Sequence, residues 1–370
     1  MAGKGRQIFK LAGINLLVLA SLVLVAELLC RAYEGLTATS KYQGPEEIQL
    51  VQEEGQCVTP PIITDDGELS RYAADFSCAG TTIQNGLRLT VDQPHEVRST
   101  VHVYGGSTVF GTGSIDADTI PSQLQQLINR NHADIRVDNH GFMTLVASQQ
   151  FAALKNSRVK PGDVVLFYDG GNDAFNSYVY QSPEGTIIGY NRKNKLAYGL
   201  IQVRHSLQAY SALYRQLGAA KAVISGKNDP SRVSCSAEPS EAQKRSYIDH
   251  YFSVLGHSQQ YAVSKGARFV HVLQPVLGSS NGPMPVDSQV YQGLLDIDGI
   301  STCTHEGLLS YYDDLVEEYE RRKNDFNGLN LALMFKAADL QPQDRYIDWI
   351  HMTPDANRHV SERILRHLGL

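Results

Sequence analysis

Beyond residue 98 the chain alternates short apolar runs with helix-length stretches, and this alternation admits few folds. Val101 to Tyr104, Ile135 to Asn139, Val164 to Tyr168, Phe269 to Leu273 and Leu329 to Leu333 are each bounded by Gly, Pro, Asp or Asn. Runs this short with such boundaries read as buried strands. Between and after them lie helical stretches: Ile120 to Asn131 with Pro121 near its start, Leu145 to Lys155 after Thr144 as N-cap, Glu241 to Lys265, Leu308 to Arg322, and Pro354 to Leu368. Strands followed by helices of this length imply parallel pairing through right-handed crossovers. The expected fold is therefore a three-layer, doubly wound α/β domain with a mainly parallel sheet.

Open α/β sheets hold their ligands at the carboxyl ends of strands, and polar segments stand at those ends here. Gly105-Gly106-Ser107 follows the first strand, Asn139-His140-Gly141 ends the second, Gly170-Gly171-Asn172-Asp173 follows the third, and Asp348-Trp349-Ile350-His351 precedes the helix-start signal Thr353-Pro354. Together they supply the parts for acyl transfer. A serine hydroxyl is a weak nucleophile until an imidazole takes its proton, which nominates Ser107 with His351. A carboxylate on the other imidazole nitrogen sets the tautomer and stabilises the imidazolium, a role for Asp348. The tetrahedral oxyanion needs preorganised donors, and the backbone amides of Ser107 and Gly141 and the side chain of Asn172 are the candidates.

In order and content these blocks resemble the GDSL-type hydrolases of the SGNH superfamily, with Ser107, Gly141, Asn172 and His351 at the four named positions and Asp348 as the partner of the histidine. The resemblance runs from about Gln84 to the C-terminus. Asn85-Gly86-Leu87-Arg88 also resembles a segment that precedes the first block in membrane-anchored members. It implies a flavodoxin-like sheet and a serine esterase or acyltransferase that works through an acyl-enzyme. One departure is visible: the first block reads Gly-Gly-Ser where the family name implies Gly-Asp-Ser.

Leu11 to Cys30 is almost entirely apolar, interrupted by Asn15 and Glu27, and about 20 such residues can span a bilayer. Lys4, Arg6 and Lys10 precede it, so the positive-inside rule keeps the N-terminus cytoplasmic and sends the remainder outside. The expected organisation is a cytoplasmic tip and single-pass transmembrane anchor over 1–35, a polar membrane-proximal extension over 36–97, and a catalytic domain over 98–370. That domain carries an insertion over 174–240, where Tyr178, Tyr180 and Tyr190 are candidate substrate-binding residues because tyrosines stack on sugar rings.

Cysteine use agrees with an oxidising compartment. Cys57, Cys78, Cys235 and Cys303 allow two disulfides, and proximity pairs Cys57 with Cys78 and Cys235 with Cys303, although sequence does not fix the connectivity. The 12 histidines show no metal-ligand spacing, so no metal and no cofactor is expected. A formal net charge of −6 argues against nucleic acid as a partner. The expected substrate is an O-acyl, above all O-acetyl, group of a cell-surface glycan. The alternatives are a lipid-directed, lysophospholipase-like esterase and a non-catalytic glycan-binding or assembly protein on the same scaffold.

Overall fold

The computed structural model describes residues 2–37, 62–63, 75–185, 190–191, 211–214, 216–217, 235–279, 291, 295, 300–335 and 345–370. The chain forms two compact units, Met1–Gln43 with Lys195–Val233, and Gly44–Asn194 with Ser234–Leu370.

The first unit contains one long helix, α1 (Ala2–Thr37). Leu17, Leu19, Leu22 and Leu24 on it are exposed. Glu27, the acid that interrupts the apolar run, accepts hydrogen bonds from the Ser211 hydroxyl at 2.8 Å and from the Ala212 and Leu213 amides at 2.9 and 3.0 Å. It caps a turn of its own unit instead of standing unpaired. Among the described residues no helix is long and apolar enough to cross a membrane.

Among the described residues the second unit holds ten strands: β1 (Ile62–Ile63), β2 (Phe76–Cys78), β3 (Thr81–Gln84), β4 (Leu87–Arg88), β5 (Ser99–Gly105), β6 (Ile135–Gly141), β7 (Val164–Asp169), β8 (Tyr190–Asn191), β9 (Arg268–Leu273) and β10 (Leu329–Asn330). Its helices are α2 (Ser107–Phe110), α3 (Ile120–Ile128), α4 (Ala147–Lys155), α5 (Gly171–Val179), α6 (Glu241–Ser264), α7 (Thr302–Arg322) and α8 (Pro354–Leu368). The main sheet has eight strands in the order β10-β9-β7-β5-β6-β4-β3-β2, while β1 and β8 pair separately. From β10 to β6 every pairing is parallel. The chain leaves β5 for β6 on one side and returns to β7 on the other, which places the switch point of the topology at β5.

Both faces of the parallel sheet are covered, as near-continuous apolar strands require. Tyr104, Val165, Phe167 and Phe269 face a core completed by α4, α6 and α7, whereas Val101, Val103, Val137, Leu166 and Val270 face one completed by α3 and α8. Burying one such side chain is worth about 1.5–3 kcal/mol. Local signals start the helices: Thr119, Ser240, Ser301 and Thr353 each accept a backbone amide of the following turn.

The structure departs from the sequence expectations in several places. Part of the stretch 36–97, read as a membrane-proximal extension, belongs to the main sheet: β2, β3 and β4 form an antiparallel meander whose Arg88 pairs with Asn139 on β6. The strand expected over Leu329 to Leu333 stops at Asn330, because the Asn330 side chain accepts the Ala332 amide at 2.8 Å and turns the backbone away. Thr144 does not cap α4. It has a φ of +62°, and the Ala147 amide that opens the helix donates instead to Asp173 at 2.8 Å. Cys235 and Cys303 form a disulfide across 68 residues. Cys78 is disulfide-bonded too, and its expected partner Cys57 lies outside the described residues.

Candidate active site

At the end of β5 the chain breaks sharply into the single turn α2. Gly106 precedes it in an extended conformation, and Gly111 closes it at a φ of +96° that favours glycine. Ser107 stands first in this turn, where a helical amide has no intrahelical acceptor. Its hydroxyl is therefore presented at the strand ends with its own backbone N–H beside it.

The catalytic histidine candidate arrives from a tight loop. Tyr346 and Met352 bridge, the Ile347 amide donates to the His351 carbonyl at 2.9 Å, and the Asp348 Oδ1 inside the loop accepts the Ile350 and His351 amides at 2.8 and 2.7 Å. The Asp-x-x-His spacing is thus the content of one turn. His351 Nδ1 meets Asp348 Oδ2 at 2.5 Å, and His351 Nε2 lies 2.7 Å from Ser107 Oγ. Residues 244 apart in sequence form one hydrogen-bonded relay. Burial opposes ionisation of Asp348, but the neighbouring His351 and two backbone amides outweigh it and hold the carboxyl below its ordinary value. Helix α8 fixes this loop, since Asn357 reaches Ser114 and Asp118 and Ser361 reaches Ile120, all beyond the serine turn.

The oxyanion candidates fare differently. Asn172, in the first turn of α5, donates from Nδ2 to the Leu145 carbonyl at 3.1 Å, and the same nitrogen lies 2.1 Å from where a Cβ on Gly106 would sit. It therefore stands against the serine turn with a second N–H to give. The Gly141 amide is already committed, donating to Asn139 Oδ1 at 2.9 Å, which corrects its expected role as a free donor. What requires glycine there is packing: a Cβ on Gly141 would meet the Phe110 amide at 2.2 Å.

The three tyrosines do not form one surface. Tyr178 is 4% exposed and packs against Gly307 and Tyr311 inside the core, which removes it as a stacking platform. Tyr180 is exposed and meets Phe175 edge-on at 5.4 Å, and Phe175 in turn lies 5.5 Å from Trp349 of the histidine loop. The Tyr190 side chain lies outside the described residues.

No protein-family model matches the chain, and no curated protein matches it. Solved structures do. An α/β hydrolase enzyme from the metagenome of Lake Arreo, Spain, is 12% identical, with 74% of this chain and 96% of that one covered at a TM-score of 0.41. A lipolytic protein of the G-D-S-L family from Desulfitobacterium hafniense is 13% identical, with 72% and 98% covered at 0.38. An acetylxylan esterase from Geobacillus stearothermophilus is 13% identical, with 74% and 96% covered at 0.40.

The Gly-Gly-Ser block, where Gly-Asp-Ser was the expected form, has a local reason. With Asn172 Nδ2 only 2.1 Å from the Cβ position of residue 106, any side chain there would displace the asparagine. Two further residues shape the turn that sequence inspection left without a role. Asn139 Nδ2 donates to the Val109 carbonyl at 3.0 Å, tying the end of the turn to β6. Arg88, whose side chain is fully buried, donates to the Gly111 and Ser114 carbonyls at 2.9 and 2.5 Å and pairs with Asp116 at 3.1 Å. A buried guanidinium must find several acceptors, but the two-residue strand that carries Arg88 is too short to be read from sequence, so no signal announced it.

Proposed function

We propose that the chain is a serine ester hydrolase that cleaves O-acyl esters through an acyl-enzyme on Ser107. The observation that carries the reading is the relay Ser107–His351–Asp348 at 2.7 and 2.5 Å, at the switch point of a doubly wound sheet. His351 Nε2 takes the hydroxyl proton as Ser107 Oγ attacks the ester carbonyl. Collapse of the tetrahedral intermediate expels the alcohol, which leaves with that proton, and Ser107 is left acylated. Water gives a proton to the same imidazole as it attacks the acyl-enzyme, and the acid departs while Ser107 recovers its hydrogen. A sugar hydroxyl in place of that water would make the step an acyl transfer. The Ser107 amide and Asn172 Nδ2 serve as the oxyanion donors of this scheme.

The non-catalytic alternative would gain from a serine and histidine out of reach of one another, and the two lie 2.7 Å apart. As substrate we propose an O-acetylated cell-surface glycan, supported by the aromatic run from Trp349 through Phe175 to the exposed Tyr180. As location we propose that the relay lies outside the cytoplasm, with the apolar run Leu11 to Cys30 holding the chain at a membrane, supported by the basic residues before that run and by the disulfide Cys235–Cys303.

The test is to incubate the full chain with a fluorophosphonate probe and locate the label by mass spectrometry. Label on Ser107, lost together with p-nitrophenyl acetate hydrolysis in Ser107→Ala, is expected; undiminished turnover by that variant removes the assignment. Free reaction of Cys235 and Cys303 with a thiol reagent, in chain unfolded from its native cell fraction without reductant, would overturn the location.

A further inference from the structure

A second cluster of chemistry-bearing side chains lies on the other half of the β5–β6 pair. The parallel register sets His102 opposite Asp138 and Tyr104 opposite His140, so the side chains of His102, Asp138 and His140 emerge on one face of two neighbouring strands. The His102 and His140 rings are buried, with Nδ1 of the first 3.1 Å from Nε2 of the second, and Asp138 Oδ2 lies 3.8 Å from His102 Nδ1. One ligand-capable atom from each of the three residues lies within 4.8 Å of the others. All three line a cavity of about 270 Å³.

We propose that His102, Asp138 and His140 bind one divalent transition cation, of which Zn²⁺ is the representative. Two imidazoles and one carboxylate are the donor set such borderline cations prefer, whereas Mg²⁺ and Ca²⁺ take oxygen ligands. Ligands 2.0–2.1 Å from a tetrahedral centre stand about 3.3 Å apart, close to the spacing of the two imidazole nitrogens. The surroundings of His102 favour the tautomer a metal requires. His102 Nε2 faces Asp163 Oδ2 at 3.3 Å, and Asp163 is itself held by the Thr100 and Lys160 amides at 2.8 Å each. A carboxylate on the far nitrogen keeps the proton there and leaves the Nδ1 lone pair for a metal, the outer arrangement found around metal-bound histidines. Arg136 donates to Asp138 Oδ2 at 2.9 Å, and a carboxylate has lone pairs enough for both an arginine and a cation. The fourth position opens to the cavity, where Arg136 and Arg158 favour an anionic fourth ligand such as hydroxide.

The ligands fall 36 and 38 residues from His102, on separate strands, so no linear metal motif announces them. The bound cation would cross-link β5 to β6, the strands that end at the serine turn and at Gly141.

The experiment uses the full chain stripped with EDTA and titrated with Zn²⁺ by calorimetry, with metal content measured after gel filtration. One Zn²⁺ per chain, a melting temperature that rises with Zn²⁺ and not with Mg²⁺, and visible ligand-field absorption after loading with Co²⁺ are expected. Asp138→Asn and His102→Gln should each weaken Zn²⁺ binding at least about tenfold while melting like the wild type without metal. The proposal is overturned if the wild type takes up no stoichiometric Zn²⁺. It is equally overturned if both variants melt normally and bind Zn²⁺ as tightly as the wild type, since the cation then lies elsewhere.

Discussion

Replacing Gly106 with alanine separates the stability of the serine turn from its chemistry. Gly106 has a φ of −79°, which any residue adopts, so the added methyl brings no backbone strain. It does bring a collision, because its Cβ would lie 2.1 Å from Asn172 Nδ2, 3.3 Å from Asn172 Cγ and 3.4 Å from the Leu145 carbonyl. Only the amide nitrogen is far inside contact distance, and it sits at the end of a side chain able to swing. Moving it forfeits the Asn172–Leu145 hydrogen bond, worth about 1 kcal/mol. The chemistry loses more, since an oxyanion donor is worth roughly 10²–10³ in kcat. Gly106→Ala should therefore fold with a loss of about 1 kcal/mol in urea unfolding, while kcat for p-nitrophenyl acetate falls about a hundredfold or more with KM little changed. Asn172→Ala should do the same, and in its background Gly106→Ala should cost less than about threefold, because the group it displaces is gone. Full activity in Gly106→Ala, or two effects that multiply in the double variant, would refute the reasoning.

Three other outcomes follow from the same contacts. Burial holds His305 down to about 4, against about 6.5 in an unfolded chain, so between those pH values the unfolded state binds the extra proton and stability falls as pH drops. That loss is worth about 3 kcal/mol and is complete near pH 4. Urea unfolding at pH 7.5 and 4.5 should show a shallower slope in His305→Gln, and an equal slope in both chains contradicts it. Arg88→Met should cost about 3–5 kcal/mol, because it removes the guanidinium from the Gly111 and Ser114 carbonyls and the cation from the partly buried Asp116, which keeps only the Thr82 amide; a cost under about 1 kcal/mol would mean that the turn holds itself. Asp348→Asn should retain more esterase activity than Ser107→Ala, since the nucleophile and the oxyanion donors survive a misoriented imidazole. Equal losses in the two would deny Asp348 an orienting role.

The layers and most strands were legible in the sequence because β5, β7 and β9 are buried on both faces, and burial of that kind gives near-continuous apolar runs, whereas β6 alternates apolar residues with Arg136 and Asp138. Ser107, His351 and Asp348 were legible for a related reason: strand-end turns and a loop that folds on itself are local, so Gly105-Gly106-Ser107 and Asp-x-x-His carry their geometry within a few residues. Contacts between elements were not. Whether the Gly141 amide is free depends on the rotamer of Asn139, and whether Tyr178 meets solvent depends on how α5 lies on α7. The edge of the sheet escaped notice because β2, β3 and β4 have two to four residues each, too few for a periodic signal. His102, Asp138 and His140 needed more still. Only the register of β5 on β6 places their side chains on one face, and register is a property of paired strands that neither strand encodes alone.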